Sequence, residues 1–217
     1  MQTTLVLSYT LKFAKVGLEG SHDFDHICGL SHRCGGRWLH NRDRAPHRLE
    51  DDEIRLPNRG ARVLKGYTVL GRQADVVETS RGCTYDCSFC SIIEMRGRNF
   101  HTYSFERVLA DIRDAAARGA RSIFLVDDNI TLNVHRFEAL CRAIIEAGLN
   151  RLDYFVQGMT AAIARHGQTL APLMRRARFR YVFLGIENVL ENDLNSCARP
   201  PRILYETMGA APSTTQP

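Results

Sequence analysis

The chain has 217 residues, 44% of them hydrophobic, enough for one core or for a core with an appendage. Lys and Arg number 29 against 24 Asp and Glu, a net charge of +5; the basic residues are scattered, and the densest run, Arg175-Arg176-Ala177-Arg178, reads as a solvated helix end, so nucleic-acid binding is not expected. No apolar run reaches the ~18 residues of a membrane span, and the apolar patch Leu5–Leu7 lacks the flanks of a secretory signal, so a cytoplasmic location is expected.

Residues 1–60 are rich in His, Arg, Asp and Gly and have little periodicity, which predicts an irregular N-terminal region. Cys28, His32 and Cys34 are conceivable zinc ligands, although Cys-x5-Cys is not a usual finger spacing and no second pair follows. From residue 74 the pattern is regular. Ala74–Glu78 predicts a short strand. Ser104 is suited to cap a helix with Glu106 in its first turn, and Val108, Leu109, Ile112, Ala115 and Ala116 fall on one helical face before Gly119. Ser122–Val126 is an apolar run of the kind buried on both faces of a parallel sheet, and it ends in Asp127-Asp128-Asn129. A second amphipathic helix places Phe137, Leu140, Cys141, Ile144 and Ile145 inward and stops at Gly148. Leu152–Gln157 predicts a third strand, residues 160–178 a helix broken near Gly167 and Pro172, and Arg180–Ile186 a fourth strand ending at Glu187.

This β-α-β-α-β-α-β order predicts a parallel α/β sheet with helices outside. Such sheets carry function at the carboxyl ends of their strands. A cysteine loop, the Asp127-Asp128-Asn129 turn, Gln157 and Glu187 all fall at those ends. Residues 195–217 hold four of the seven prolines and predict a disordered tail.

The cysteine loop is the most specific feature. Arg81-Gly82-Cys83-Thr84-Tyr85-Asp86-Cys87-Ser88-Phe89-Cys90 has the spacing C-x3-C-x2-C and no fourth cysteine close by. An electron-transfer cluster is closed by four thiolates; three leave one iron without a protein ligand and open to an exogenous one. The chain carries seven cysteines, an odd and clustered set that fits reduced thiols and a metal site better than disulfides.

The loop, and more broadly Glu78 to Ile92, resembles the radical S-adenosylmethionine (SAM) superfamily, in particular its members with an N-terminal cobalamin-binding domain. The resemblance implies a (βα) TIM-like barrel, here truncated to about four βα units, with residues 1–60 akin to an interdomain connector, a core over 61–194 and a tail over 195–217. It implies a 4Fe-4S cluster on Cys83, Cys87 and Cys90, and SAM on the open iron. One electron then cleaves the sulfonium to methionine and a 5′-deoxyadenosyl radical, for methylation or rearrangement of an unreactive carbon. An external donor such as flavodoxin or ferredoxin is implied. Cobalamin belongs to the parent family, but with about 70 residues before the first strand its domain is not expected here. Phe89 is placed near the adenine or in the packing of the loop. One of Asp127 and Asp128 is the candidate for the methionine ammonium, in place of the family's Gly-Gly-Glu; Asn129 reads equally as a helix cap. Glu187 is the candidate for the ribose hydroxyls, and Gln157 for the same pocket. Arg98 and His101 could touch SAM or substrate, Cys141 reads as packing, and Cys197 has no assigned role. The rivals are a non-catalytic remnant and a zinc-binding interaction module.

Overall fold

The computed structural model describes residues 24–43, 56–85 and 87–186. The chain divides into two units, residues 1–55 and 56–217. In the first, β1 (Ser31–Cys34) and β2 (Arg37–His40) form an antiparallel hairpin across Gly35-Gly36, with Ser31 opposite His40. The described part of this region is therefore more regular than its composition predicts.

In the second unit, β3 (Thr68–Val69) pairs antiparallel with β4 (Arg72–Val77). The chain then makes β5 (Ser80–Arg81), the cysteine loop, the short α1 (Ile92–Arg96) and β6 (His101–Thr102). Three βα units continue: α2 (Phe105–Ala117), β7 (Ser122–Leu125), α3 (Val134–Glu146), β8 (Asp153–Met159), α4 (Thr160–Arg176) and β9 (Phe179–Gly185). The main sheet runs β3-β4-β7-β8-β9, and β4, β7, β8 and β9 are parallel. Strand order follows chain order, so each right-handed crossover advances the same way and puts its helix on the same face. That arrangement curls a sheet into a partial barrel.

The helices fit the face the sequence predicts. Ser104 accepts from the Arg107 N–H as the cap of α2, and Val108, Ile112 and Ala115 are buried. Phe137, Leu140, Cys141 and Ile144 of α3 are buried, while Ile145 is half-buried. The rings of Phe137 and Phe179 meet edge to face at 5.2 Å, locking α3 onto β9. Arg59 fastens α2 to β4: its guanidinium donates to Asp111 (2.5 Å), Asp114 (3.0 Å), Asp75 (2.9 Å) and the Val76 carbonyl (3.1 Å).

Helix α4 departs from expectation. It runs unbroken from Thr160 to Arg176 with Pro172 inside. An interior proline costs about 3 kcal/mol. Burial of Leu170, Leu173, Met174 and Ala177 offsets that cost, since packing rather than propensity supplies most helical stability in a folded chain. Pro172 and Gly167 lie on the outer side, where neither meets the core.

The opposite face of the sheet carries Val76, Phe124, Phe155 and Tyr181, one per parallel strand and in register. Phe155 stacks on Tyr181 at 4.7 Å, while Tyr181 is 50% exposed and its neighbour Phe183 is 73% exposed. The carboxyl ends of β4, β7 and β8 form a rim above this face.

Candidate metal centre

The cysteine loop is an excursion with a zipped base. Strands β5 and β6 pair antiparallel, Ser80 with Thr102 and Arg81 with His101, and close residues 82–100 into a loop. The Tyr103 N–H donates to the Thr79 carbonyl (3.0 Å), and Arg136 of α3 donates to the carbonyls of Thr79 (3.0 Å) and Tyr103 (2.6 Å). Glu78 takes both Arg81 Nε (2.9 Å) and the Tyr103 hydroxyl (2.8 Å). Burial, then the adjacent Glu78, push the Tyr103 phenol well above its ordinary range, so it remains a donor.

The rim of β7 latches this base. Asp127 is 1% exposed and accepts from the Thr79 N–H (2.7 Å), the Thr79 hydroxyl (2.5 Å) and the Ser80 hydroxyl (2.5 Å). Burial pushes its carboxyl upward, and these donors pull it back. Asp128, half-buried, accepts from the Gly82 N–H at 2.7 Å. Gly82 has φ of +93°, and a Cβ there would lie 2.4 Å from the Asn99 carbonyl oxygen, so only glycine fits immediately before Cys83.

Within the loop the Cys90 N–H donates to the Cys87 carbonyl (3.0 Å), a turn that brings the last two cysteines to one side. Arg98 donates to the Thr84 carbonyl (2.9 Å) and braces the return path. Cys83 and Cys87 are half-buried, Cys90 is exposed, and all three are thiols. Asn129 Nδ2 lies 4.0 Å from Cys83 Sγ and is directed at it. The donor set therefore suits an iron–sulfur cluster: three thiols without disulfide partners, and an amide donor aimed at one sulfur. Among the described residues no three His, Cys, Asp or Glu side chains gather around one point as a single ion needs. Thiolates that each hold a different iron have no such requirement.

The predicted residues thus separate. Cys83, Asp127, Asp128 and Asn129 converge at the start of the loop. Phe89 is 54% exposed, and Gln157 is exposed opposite Phe183 on the open face. Glu187 and Cys197 lie outside the described residues. His101 sits in the β5–β6 ladder, and Cys141 is in the core, where burial pushes its thiol up to about 12. Thr79, Ser80, Thr131, Tyr103 and Arg136 were not anticipated; the Thr-Ser pair ahead of Arg-Gly-Cys was the available signal.

The model of the radical SAM superfamily matches residues 77–208, which contain the whole of this rim and loop. The chain belongs to the radical SAM superfamily. Proteins of this superfamily work with a 4Fe-4S cluster and SAM. The chain is 32% identical to the hopanoid C-3 methylase of Methylococcus capsulatus over 113 residues, 52% of this chain and 21% of that protein. It is 27% identical to an uncharacterized methyltransferase of Pyrococcus horikoshii over 180 residues, 82% of this chain and 38% of that one. The chain thus spans about a fifth to two fifths of the curated relatives it matches. The fold is also that of TsrM from Kitasatospora setae, a radical SAM methyltransferase solved with cobalamin and a [4Fe-4S] cluster: TM-score 0.58 at 18% identity, covering 87% of this chain and 38% of that chain. Among the described residues no helix is long and apolar enough to cross a membrane.

Proposed function

We propose that this chain is the cluster- and SAM-binding core of a radical SAM enzyme of the methylase type. The observation that carries the reading is the C-x3-C-x2-C loop, zipped by β5 and β6 and latched by Asp127 and Asp128 at the carboxyl rim of a parallel sheet. Cys83, Cys87 and Cys90 would each hold one iron. When bound, the cluster and SAM together supply a 5′-deoxyadenosyl radical.

The residues of this chain then have separable tasks. Asp127 is saturated by three internal donors and holds the loop. Asp128 is half-buried beside Gly82, which makes it the better acceptor for the ammonium of SAM. Phe89 presents an exposed ring suited to the adenine, and Glu187 and Gln157 are assigned to the ribose and its pocket. The aromatic row Phe124, Phe155 and Tyr181 offers an apolar floor that keeps water from a reactive radical. Single-electron input suits flavodoxin or ferredoxin, and free thiols suit the reducing cytoplasm. Methyl transfer to carbon with cobalamin, as in the parent family, is the reaction class favoured by the methylase relatives.

The test is anaerobic cluster assembly followed by SAM and dithionite. Release of 5′-deoxyadenosine is expected. A protein that loads iron and sulfide but releases none is the non-catalytic remnant, and one that binds zinc and no iron overturns the cluster reading.

A further inference from the structure

We infer that Asn129 and Thr131 form a buried relay that tunes the sulfur of Cys83 and so sets the reduction potential of the cluster. The inference rests on the cluster reading above and goes beyond it. Asn129 is 5% exposed and Thr131 3%. Neither has water to turn to, so each polar atom needs a protein partner. The Thr131 hydroxyl accepts from the Met159 N–H (2.9 Å), at the end of β8. Its own proton must then be donated, and the acceptor within reach is Asn129 Oδ1 at 2.9 Å. That fixes which way the amide faces: Oδ1 meets Thr131, and Nδ2 is left to meet Cys83 Sγ at 4.0 Å. Thr131 is held in turn by Gly158, where a Cβ would lie 3.0 Å from Thr131 Cγ2. The end of β8 thus orients a donor at a sulfur of the loop between β5 and β6.

A donor to a thiolate ligand stabilises the more negative, reduced cluster and raises its potential. Hydrogen bonds to charged acceptors are worth enough to shift an equilibrium about tenfold. Asn129 is on this account a tuning residue and Thr131 the positioning residue behind it.

The experiment is an EPR-monitored redox titration of the anaerobically assembled full chain, with iron and sulfide counted in each variant. Asn129→Ala should weaken one-electron reduction about tenfold, a midpoint about 59 mV more negative. Asn129→Asp should shift it further the same way. Thr131→Val, which touches no cysteine, should shift it less but in the same direction, and the double variant Asn129→Ala/Thr131→Val should match Asn129→Ala alone. Midpoints for Asn129→Ala and Thr131→Val equal to wild type overturn the relay. If Asn129→Ala fails to load, Thr131→Val decides: a negative shift supports the relay and an unchanged midpoint overturns it. Wild-type protein that takes up no iron instead defeats the cluster reading itself.

Discussion

Removing the Asp127 carboxylate should unfasten the cysteine loop from the sheet. Asp127→Ala strips the acceptor from one backbone N–H and two hydroxyls in a site with no solvent. It also removes the charge that faces the partly buried Arg136 guanidinium, whose pKa burial lowers and Asp127 raises. Hydrogen bonds to a charged acceptor contribute about 1.5–3 kcal/mol each, so three set a ceiling of about 5–9 kcal/mol. Two offsets act against that ceiling. The hydroxyls can rotate toward other acceptors, and the variant escapes the cost of burying a carboxylate, the cost that drives its pKa upward. A net loss of about 3 kcal/mol is expected, a large part of the 5–15 kcal/mol of a typical domain. Asp127→Asn keeps one acceptor oxygen and places an NH2 where a hydroxyl can accept it, so about 1–2 kcal/mol is expected. Urea titration followed by circular dichroism at 222 nm reads both values. Identical midpoints for wild type and Asp127→Ala, or Asp127→Asn as damaging as Asp127→Ala, would refute the latch.

Three further outcomes follow from the same geometry. Gly82→Ala must relieve a 2.4 Å contact with the Asn99 carbonyl at a φ of +93°, so its iron content should fall well below wild type while circular dichroism stays native; full loading would contradict the fit. Asp75 and Asp153 are held below the usual carboxylate range: burial alone would raise each, but Arg62, the Val76 N–H and Arg59 lower Asp75, and Arg178, Arg72 and Arg180 lower Asp153. A depressed carboxyl stabilises the fold above its unfolded value near 4 and loses that contribution as pH falls through the folded value, so stability should drop steeply below about pH 4. Asp153→Asn should lose about 1–2 kcal/mol at neutral pH, limited by the half-exposed arginines, and should show a shallower acid limb; an unchanged limb would exclude Asp153 as a source.

Much of the architecture was readable from period and punctuation. Val108, Ile112 and Ala115 declare the buried face of α2, because burial imposes that spacing directly. The run from Ser122 declares a parallel strand, but not one covered on both sides, since its Phe124 is only half-buried on the open face of the sheet. Helix α4 departs from the sequence reading because Pro172 and Gly167 are local signals, whereas the burial that outweighs them comes from packing against α3 and the flanking strands β8 and β9, which a local breaker signal does not register. The cysteines were legible because three thiols at fixed spacing have few other uses. Their support was not. Asp127 looks like a rim acid available to ligand, and only the fold reveals that Thr79 and Ser80 consume it. Asn129 looks like a helix cap, but the cap of α3 is Asn133, whose side chain accepts from Arg136 N–H, and Asn129 turns toward Cys83 instead.

The ligand set is tested most directly by counting iron and sulfide in the anaerobically assembled chain and its cysteine variants. About four irons and four sulfides are expected in wild type. That content should be lost in Cys83→Ala, Cys87→Ala and Cys90→Ala, and kept in Cys28→Ala, Cys34→Ala and Cys141→Ala. A wild-type chain without iron, or a Cys87→Ala variant that keeps its full complement, would contradict it.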